Sequence, residues 1–272
     1  MPKIEKWQKK IAWIVSSVLG MAILVIAGVL FGGTPIFDQY IVFAVMATVF
    51  LPTVLNLVDY RWKKSIDEHL PDLFRAIVQA QQTGMTLPQA VEEASKRDYG
   101  PLTKELKKLV SQMSWGASFE EALESFSKRV DTTFVRRIVP LVIEASRSGG
   151  RVEKVFEPVG KFIQTTLTLE KERNASTRPY VAIIYVSFFV FLFTIVLLFK
   201  SFFTPITQDA SLLGNVLLTP EAARRLFFHM TAIQAFFSGL VAGKMGEGRI
   251  NSGLKHSLIL LACGVLILKV ML

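Results

Sequence analysis

The stretch Gly116-Ala-Ser-Phe119-Glu-Glu-Ala122-Leu123 decides the fold, because it ends one helix and starts another within three residues. Glycine readily takes the left-handed conformation that closes a helix. Ser118 and Glu121 fit a capping box, in which each side chain accepts a hydrogen bond from the other residue's backbone N–H. The stretch Gly84-Met-Thr-Leu87-Pro-Gln-Ala90-Val91 repeats the pattern, with Thr86 and Gln89 in those positions. Repeated helix restarts of this kind predict a helical bundle.

A third copy, Gly149-Gly-Arg-Val152-Glu-Lys-Val155-Phe156, keeps the glycine and the apolar positions but has Arg151 in place of the cap. The glycines lie 32 and 33 residues apart (116 − 84 and 149 − 116), which is the length of a helix pair. We interpret Gly84, Gly116, Gly149 and Gly150 as structural turns. None fits the phosphate-binding pattern G-x-x-x-x-G-K-[ST] or follows a predicted strand.

Two groups of apolar runs surround this block. Hydrophobic residues make up 51% of the chain, and five runs approach the roughly 20 residues that a membrane-spanning helix needs. They cover residues 11–31, 36–58, 179–203, 226–245 and 254–272. The sequence therefore predicts an all-α polytopic membrane protein with about five transmembrane helices. Its expected parts are an N-terminal membrane region (1–58), a cytoplasmic helical bundle (59–178) and a C-terminal membrane region (179–272).

The distribution of charge predicts the orientation in a cell membrane. The basic tail with Lys3, Lys6, Lys9 and Lys10 places the N-terminus inside, since cytoplasmic flanks carry an excess of Lys and Arg. The middle block is then cytoplasmic and the C-terminus external. Arg224 and Arg225 fall on the external side and count against this scheme. Aromatic residues interleaved with cations in Tyr60-Arg-Trp-Lys-Lys64 are typical of a helix at the head-group level.

Charge also argues against nucleic acid as a partner. The formal net charge is +9, but residues 60–178 hold 20 Lys and Arg against 16 Asp and Glu, with the signs interspersed. Basic residues beside apolar runs instead indicate attraction to the head groups of membrane lipid.

The sequence offers no constellation for catalysis, a metal or a cofactor. Cys263 is the single cysteine, and His69, His229 and His256 stand outside any ligand spacing. We expect His69 on the surface, at a helix boundary before Pro71. We expect His229 to reach the interface or to bond Thr231 or Gln234, and His256 to meet lipid head groups.

The candidate contact residues lie in, or just after, the second of two helices predicted between the glycine copies. Residues 101–114 form one helix, and residues 134–148 form another with Ile138, Leu141, Val142 and Ala145 packed inward. Pro140 should kink the second helix or mark its start. Arg136, Arg137, Arg147 and Arg151 lie near the second and third turns in sequence. They are candidates for pairing with an acidic partner, although a solvated helix face is an equally good interpretation.

The glycine units, the stretch Ser148-Gly-Gly-Arg-Val152-Glu-Lys-Val155-Phe156 and the flanking spans resemble the F-domain family of secretion and pilus assembly platforms. That family includes the platforms of type II secretion, type IV pili, tight-adherence pili and the archaellum. Residues 239–257 look most like archaeal members. The chain has one such domain where many bacterial relatives have two, and Arg147-Ser148 where they often have acidic residues. Both departures favour the archaeal or tight-adherence branch.

The resemblance implies a platform that is not an enzyme. Such a platform docks a cytoplasmic hexameric secretion ATPase and couples it to the insertion of pilin-like subunits, as a homo-oligomer or with a second platform subunit. The alternatives are a stator-type ion-channel subunit and a transporter permease. A stator requires acidic or hydroxyl-lined positions in the middle of the membrane. Asp38 and Asp59 lie at span ends, and the third span has Thr194 but no mid-span carboxylate. A permease requires a pair of broken helices at the midplane, which the sequence does not suggest.

Overall fold

The computed structural model describes residues 3–32, 35–147, 153–203 and 220–271, and within these ranges the chain is helical and has no strand. The helices are α1 (Lys6–Phe31), α2 (Pro35–Gln82), α3 (Leu87–Ser95), α4 (Pro101–Ser114), α5 (Phe119–Val130), α6 (Thr133–Arg147), α7 (Glu153–Leu198), α8 (Pro220–Glu247) and α9 (Gly253–Met271). A π-helical turn, Phe199–Phe203, follows α7, and a 3₁₀ turn, Ile250–Ser252, precedes α9. Five of these helices (α1, α2, α7, α8 and α9) are long and apolar enough to cross a membrane. The predicted fold class is confirmed.

The chain forms two compact units. One consists mainly of Val58–Glu172, and the other of Ile4–Leu57 together with Arg173–Leu272. Helices α2 and α7 each contribute residues to both units, because neither helix ends where its apolar run ends. Helix α7 begins at Glu153 and continues through Pro179, so the apolar run predicted from that proline forms the second half of a longer helix.

Both glycine turns that the structure describes have the predicted geometry. Gly84 and Gly116 have φ angles of +89° and +94°, in the left-handed region. At the second turn the Ser118 N–H donates to Glu121 Oε2 over 3.0 Å, and the Glu121 N–H donates to Ser118 Oγ over 3.2 Å. At the first turn the Thr86 N–H donates to Gln89 Oε1 over 3.0 Å. Gly149, Gly150 and Arg151 lie outside the described residues.

These turns set the core of the Val58–Glu172 unit, which contains buried apolar side chains from all six of its helices. Ile66, Leu70, Leu102, Leu106, Leu109 and Ile163 are among the most deeply buried. Trp62 joins this core at 3% exposure, so its predicted place among lipid head groups is wrong. A tryptophan side chain has a large apolar area, and in this protein that area is buried in the core.

His69 also differs from the prediction. It lies inside α2, half-buried, with Nδ1 2.6 Å from the Ser65 carbonyl oxygen and its ring beside Gly100. The helix continues through Pro71 because the burial of Leu70 and Leu73 on either side favours it. Burying such a side chain contributes about 1.5–3 kcal/mol, which offsets much of the roughly 3 kcal/mol that a helical proline costs.

Close backbone packing of α8 against α9 dominates the second unit. A Cβ atom at Gly239 would collide with the backbone of Ser257, and one at Gly243 would collide with Gly253. Ser257 Oγ donates to the Phe236 carbonyl over 2.8 Å, which adds a hydrogen bond between the helices. Small residues at four-residue spacing allow such close approach in membranes.

Polar side chains join other helices of this unit. The Arg225 Nε donates to Asp38 Oδ2 over 2.8 Å, and His229 Nε2 lies 3.8 Å from the same oxygen. Arg225 thus has a carboxylate partner on α2, and His229 lies near Asp38 rather than bonding Thr231 or Gln234. His256 contacts Tyr185, with 2.8 Å between Nδ1 and the hydroxyl oxygen, where we expected lipid head groups.

We predict that Gly239→Leu destabilises the full chain in detergent by roughly 1–3 kcal/mol or more, because the side chain has no space beside Ser257. Thermal unfolding measures the effect. Phe237→Leu on the exposed side of α8 is the control and should change little. Equal melting temperatures for Gly239→Leu and the wild type would contradict the close packing.

Candidate functional site

The candidate site is the outer face of α6, which we define as Arg136, Arg137, Pro140, Leu141, Glu144 and Arg147. All six residues are exposed. The opposite face of α6 is buried in the core through Val135, Ile138, Val139, Val142 and Ile143. The 3.6-residue helical period therefore places three arginines and one large apolar side chain on the same exposed face of α6.

Leu141 is 53% exposed, so the prediction that it packs inward is wrong. The sequence-based face included Leu141 and Ala145 because both are apolar. The actual buried stripe is rotated towards Val139 and Ile143, whose branched side chains fill the core. An exposed leucine alone needs no explanation. With Arg137 one turn before it and arginines towards both ends of α6, it gives this face the mixed apolar and cationic composition of partner surfaces.

The start of α6 is fixed by the turn after α5. Asp131 has a φ of +49°, a conformation that asparagine and aspartate tolerate better than other side chains, and its N–H donates to the Ser127 carbonyl over 2.9 Å. Thr132 Oγ1 then accepts from the Val135 N–H over 3.2 Å, as a helix cap does. The sequence contains both signals, but neither involves a glycine.

The carboxylate of Asp131 also links α6 to α2. Arg136 Nη1 lies 3.5 Å from Asp131 Oδ1, and Lys63 Nζ lies 4.0 Å from Asp131 Oδ2. Lys63 in turn lies 3.7 Å from Asp59. Arg136 is therefore partly neutralised, which leaves Arg137 and Arg147 as the stronger candidates for contact with a partner.

The described arginines lie at the two ends of α6. Arg136 and Arg137 lie in the first turns of α6 beside Asp131, and Arg147 lies at the other end of the helix. Near that end, Ser146 Oγ lies 3.4 Å from Glu120 Oε1 at the start of α5. Eleven residues at 1.5 Å each separate Arg136 from Arg147 by roughly 16 Å along the helix axis. The candidate surface is therefore an elongated strip.

A buried ion pair holds the helices behind this strip. Glu105 on α4 is 4% exposed, and its two oxygens accept from Lys108 Nζ and Arg129 Nε, each over 2.9 Å. Arg129 on α5 also donates from Nη1 to Gln112 Oε1 over 3.2 Å. Burial raises the pKa of Glu105, but the hydrogen bonds and positive charges of Lys108 and Arg129 outweigh it and leave the pKa below its usual value. Sequence reasoning missed this pair because the partners are 24 residues apart.

The core of this unit is apolar around a small cavity. An apolar cavity of about 40 Å³ lies in the core, lined by side chains such as Leu106, Phe126 and Val139. In the described ranges, no three His, Cys, Asp or Glu side chains come together as metal ligands would. The chemistry that this unit presents is thus a charged and partly apolar outer surface.

Comparison with known proteins agrees with this architecture. Residues 68–199 match the family described as type II secretion system (T2SS), protein F. Residues 68–199 are thus similar to the type II secretion system F domain. The predicted family resemblance is confirmed, over a range that starts within α2 and ends near the end of α7.

One relative is an uncharacterised protein of the archaeon Methanocaldococcus jannaschii, which is 28% identical over 204 residues. The alignment covers 75% of this chain but only 33% of the relative's length. No solved structure matches the chain. The archaeal relative is consistent with the branch that residues 239–257 resemble.

We predict that Glu105→Gln destabilises the chain at neutral pH by about 1.5–3 kcal/mol, because Arg129 and Lys108 lose a buried carboxylate. A lowered folded-state pKa means that the carboxylate stabilises above its unfolded pKa near 4.5, and that this contribution is lost as pH falls through the folded pKa. The difference in unfolding free energy between the wild type and Glu105→Gln should therefore become smaller below about pH 4.5.

Thermal unfolding of both proteins across this pH range measures the effect. Glu93→Gln is the matched control, because it removes an exposed pair with Lys96 and should cost at most about 0.5 kcal/mol. If Glu105→Gln and Glu93→Gln change the melting temperature equally at every pH, the buried pair contributes no more to stability than a surface ion pair does.

Proposed function

We propose that this chain is a membrane platform of a type IV pilus-like or type II secretion-like filament assembly machine. In this role it docks a cytoplasmic hexameric secretion ATPase and couples that motor to the insertion of pilin-like subunits. Similarity to the F-domain family supports a role in secretion, pilus or archaellum machinery. The outer face of α6 is the observation that carries the docking role.

The orientation follows from the same proposal. The unit around Val58–Glu172 is the cytoplasmic domain, with predicted bounds 59–178, and the regions 1–58 and 179–272 lie in the cell membrane. The N-terminus is inside and the C-terminus outside. The platform acts without catalysis of its own, as a homo-oligomer or beside a second platform subunit.

The ATPase contact is proposed at Arg137 and Arg147, with Leu141 between them and Arg136 at the margin. Arg137 and Arg147 make no ion pair with any residue that the structure describes, so an acidic partner would gain their full charge. Pro140 has no N–H, so the Arg136 carbonyl loses its usual helical donor on this same face. An exposed acceptor beside cations gives the strip both polar and apolar contact groups.

We predict that the double variant Arg137→Glu with Arg147→Glu weakens binding of the organism's own secretion ATPase by at least about tenfold. The two new glutamates would repel the acidic patch that we propose on the ATPase. Leu141→Asp should weaken it as well, by removing the apolar centre. Affinity is measured with the full-length chain in nanodiscs and the purified ATPase, at fixed ionic strength because such contacts are screened by salt.

The matched control is Lys104→Glu with Lys107→Glu, which makes the same charge change on the exposed face of α4. Unchanged affinity in this control, together with the loss in the α6 variant, supports a local contact. Equal losses in both variants would indicate long-range attraction only, and no loss in the α6 variant would refute the proposed contact strip.

We further expect that the purified chain in lipid vesicles passes neither protons nor sodium ions and hydrolyses no ATP. Asp38 has Arg225 as its partner, whereas an ion-conducting stator requires a carboxylate that exchanges its ion freely. Flux is read with a pH-sensitive or sodium-sensitive dye under an imposed gradient. Measurable flux would favour the stator alternative, and uptake of a solute would favour a permease.

A further inference from the structure

The turn between α8 and α9 brings together cations from two membrane-spanning helices. Gly248 ends α8 with a φ of +70°, and the guanidinium of Arg173 on α7 occupies the space where a Cβ at this position would stand. Lys244 Nζ lies 3.5 Å from the Gly248 carbonyl oxygen. One backbone residue thus contacts an arginine from α7 and a lysine from α8.

Neither cation has a counter-charge among the described residues. Among the residues that the structure describes, neither Arg173 nor Lys244 makes an ion pair, and Arg173 donates only to the neutral Asn174 Oδ1 over 3.2 Å. The acidic residue in the turn is Glu247, and it is already paired with Lys255. Glu170 lies one turn before Arg173 on α7 and does not pair with it.

The cluster lies where a bilayer would supply an anion. Arg173 flanks the apolar part of α7, and Lys244 and Gly248 stand at the end of the apolar α8. Both cations are exposed, so a ligand can reach them. Basic pockets between transmembrane helices at a membrane surface bind anionic head groups.

We propose that Arg173 and Lys244, which meet at Gly248, form a binding site for the phosphate of an anionic lipid head group. The arginine supplies a planar pair of N–H donors suited to phosphate oxygens, and the lysine supplies a mobile point charge. The Glu247–Lys255 pair beside them closes the turn and adds no net charge. This site is independent of ATPase docking and goes beyond it.

The test uses the full chain in detergent and titrates it with phosphatidylglycerol or, in parallel, phosphatidylcholine. Bound lipid is counted by native mass spectrometry. The wild type should bind phosphatidylglycerol more tightly, and each cation removed in Arg173→Gln and Lys244→Gln should weaken that binding about fivefold. The double variant should bind phosphatidylglycerol about twenty-fivefold more weakly than the wild type. The charge-preserving variant Arg173→Lys with Lys244→Arg should retain most of the affinity.

The matched control is Lys200→Gln with Lys269→Gln, which removes two cations from the opposite ends of α7 and α9. Phosphatidylglycerol binding should not change in this control. The proposal is overturned if the wild type does not prefer phosphatidylglycerol, or if the control loses as much affinity as the Arg173 and Lys244 double variant. Displacement of the lipid by equimolar inorganic phosphate would also overturn it, since the site would then serve a free anion.

Discussion

The backbone conformation at the helix restarts determines which surface this protein presents. At Gly116 and at Asp131 one residue has a positive φ, and the side chain of Ser118 or Thr132 then accepts from an N–H group in the first turn of the next helix. Because a helix turns 100° per residue, a shift of one residue at a restart would rotate the whole following helix. The capping bonds at Ser118 and Glu121, and the Thr132 cap before α6, fix that rotation. Burial of the core then holds it, and the outer face of α6 is what remains exposed.

Much of this could be predicted from the sequence because the signals are local. Capping boxes, glycine turns and apolar runs each depend on residues within a few positions of one another. They gave the helix order, the two described glycine turns and the five membrane-length helices correctly. The predicted helix boundary at Pro71 is wrong, because the burial of Leu70 and Leu73 offsets much of the cost of a proline inside α2.

The remaining features depend on partners that are distant along the chain. Glu105 and Arg129, or Asp38 and Arg225, are ordinary charged residues until the fold brings them within 3 Å. Leu141 and Trp62 show the same limit for apolar residues. Periodicity places a side chain on a helix face, but which face is buried depends on the neighbouring helices. The arginines of the candidate surface on α6 could therefore be predicted from the sequence, but the exposure of Leu141 between them could not.

Asp131 connects three helices of the Val58–Glu172 unit. Its backbone ends α5, while its carboxylate lies between Arg136 on α6 and Lys63 on α2. A load applied to the outer face of α6 is therefore carried to α2 through charged contacts as well as through the packed core. Ion pairs between side chains adjust to small changes of distance, so a slight shift of α6 against α2 would leave these contacts in place.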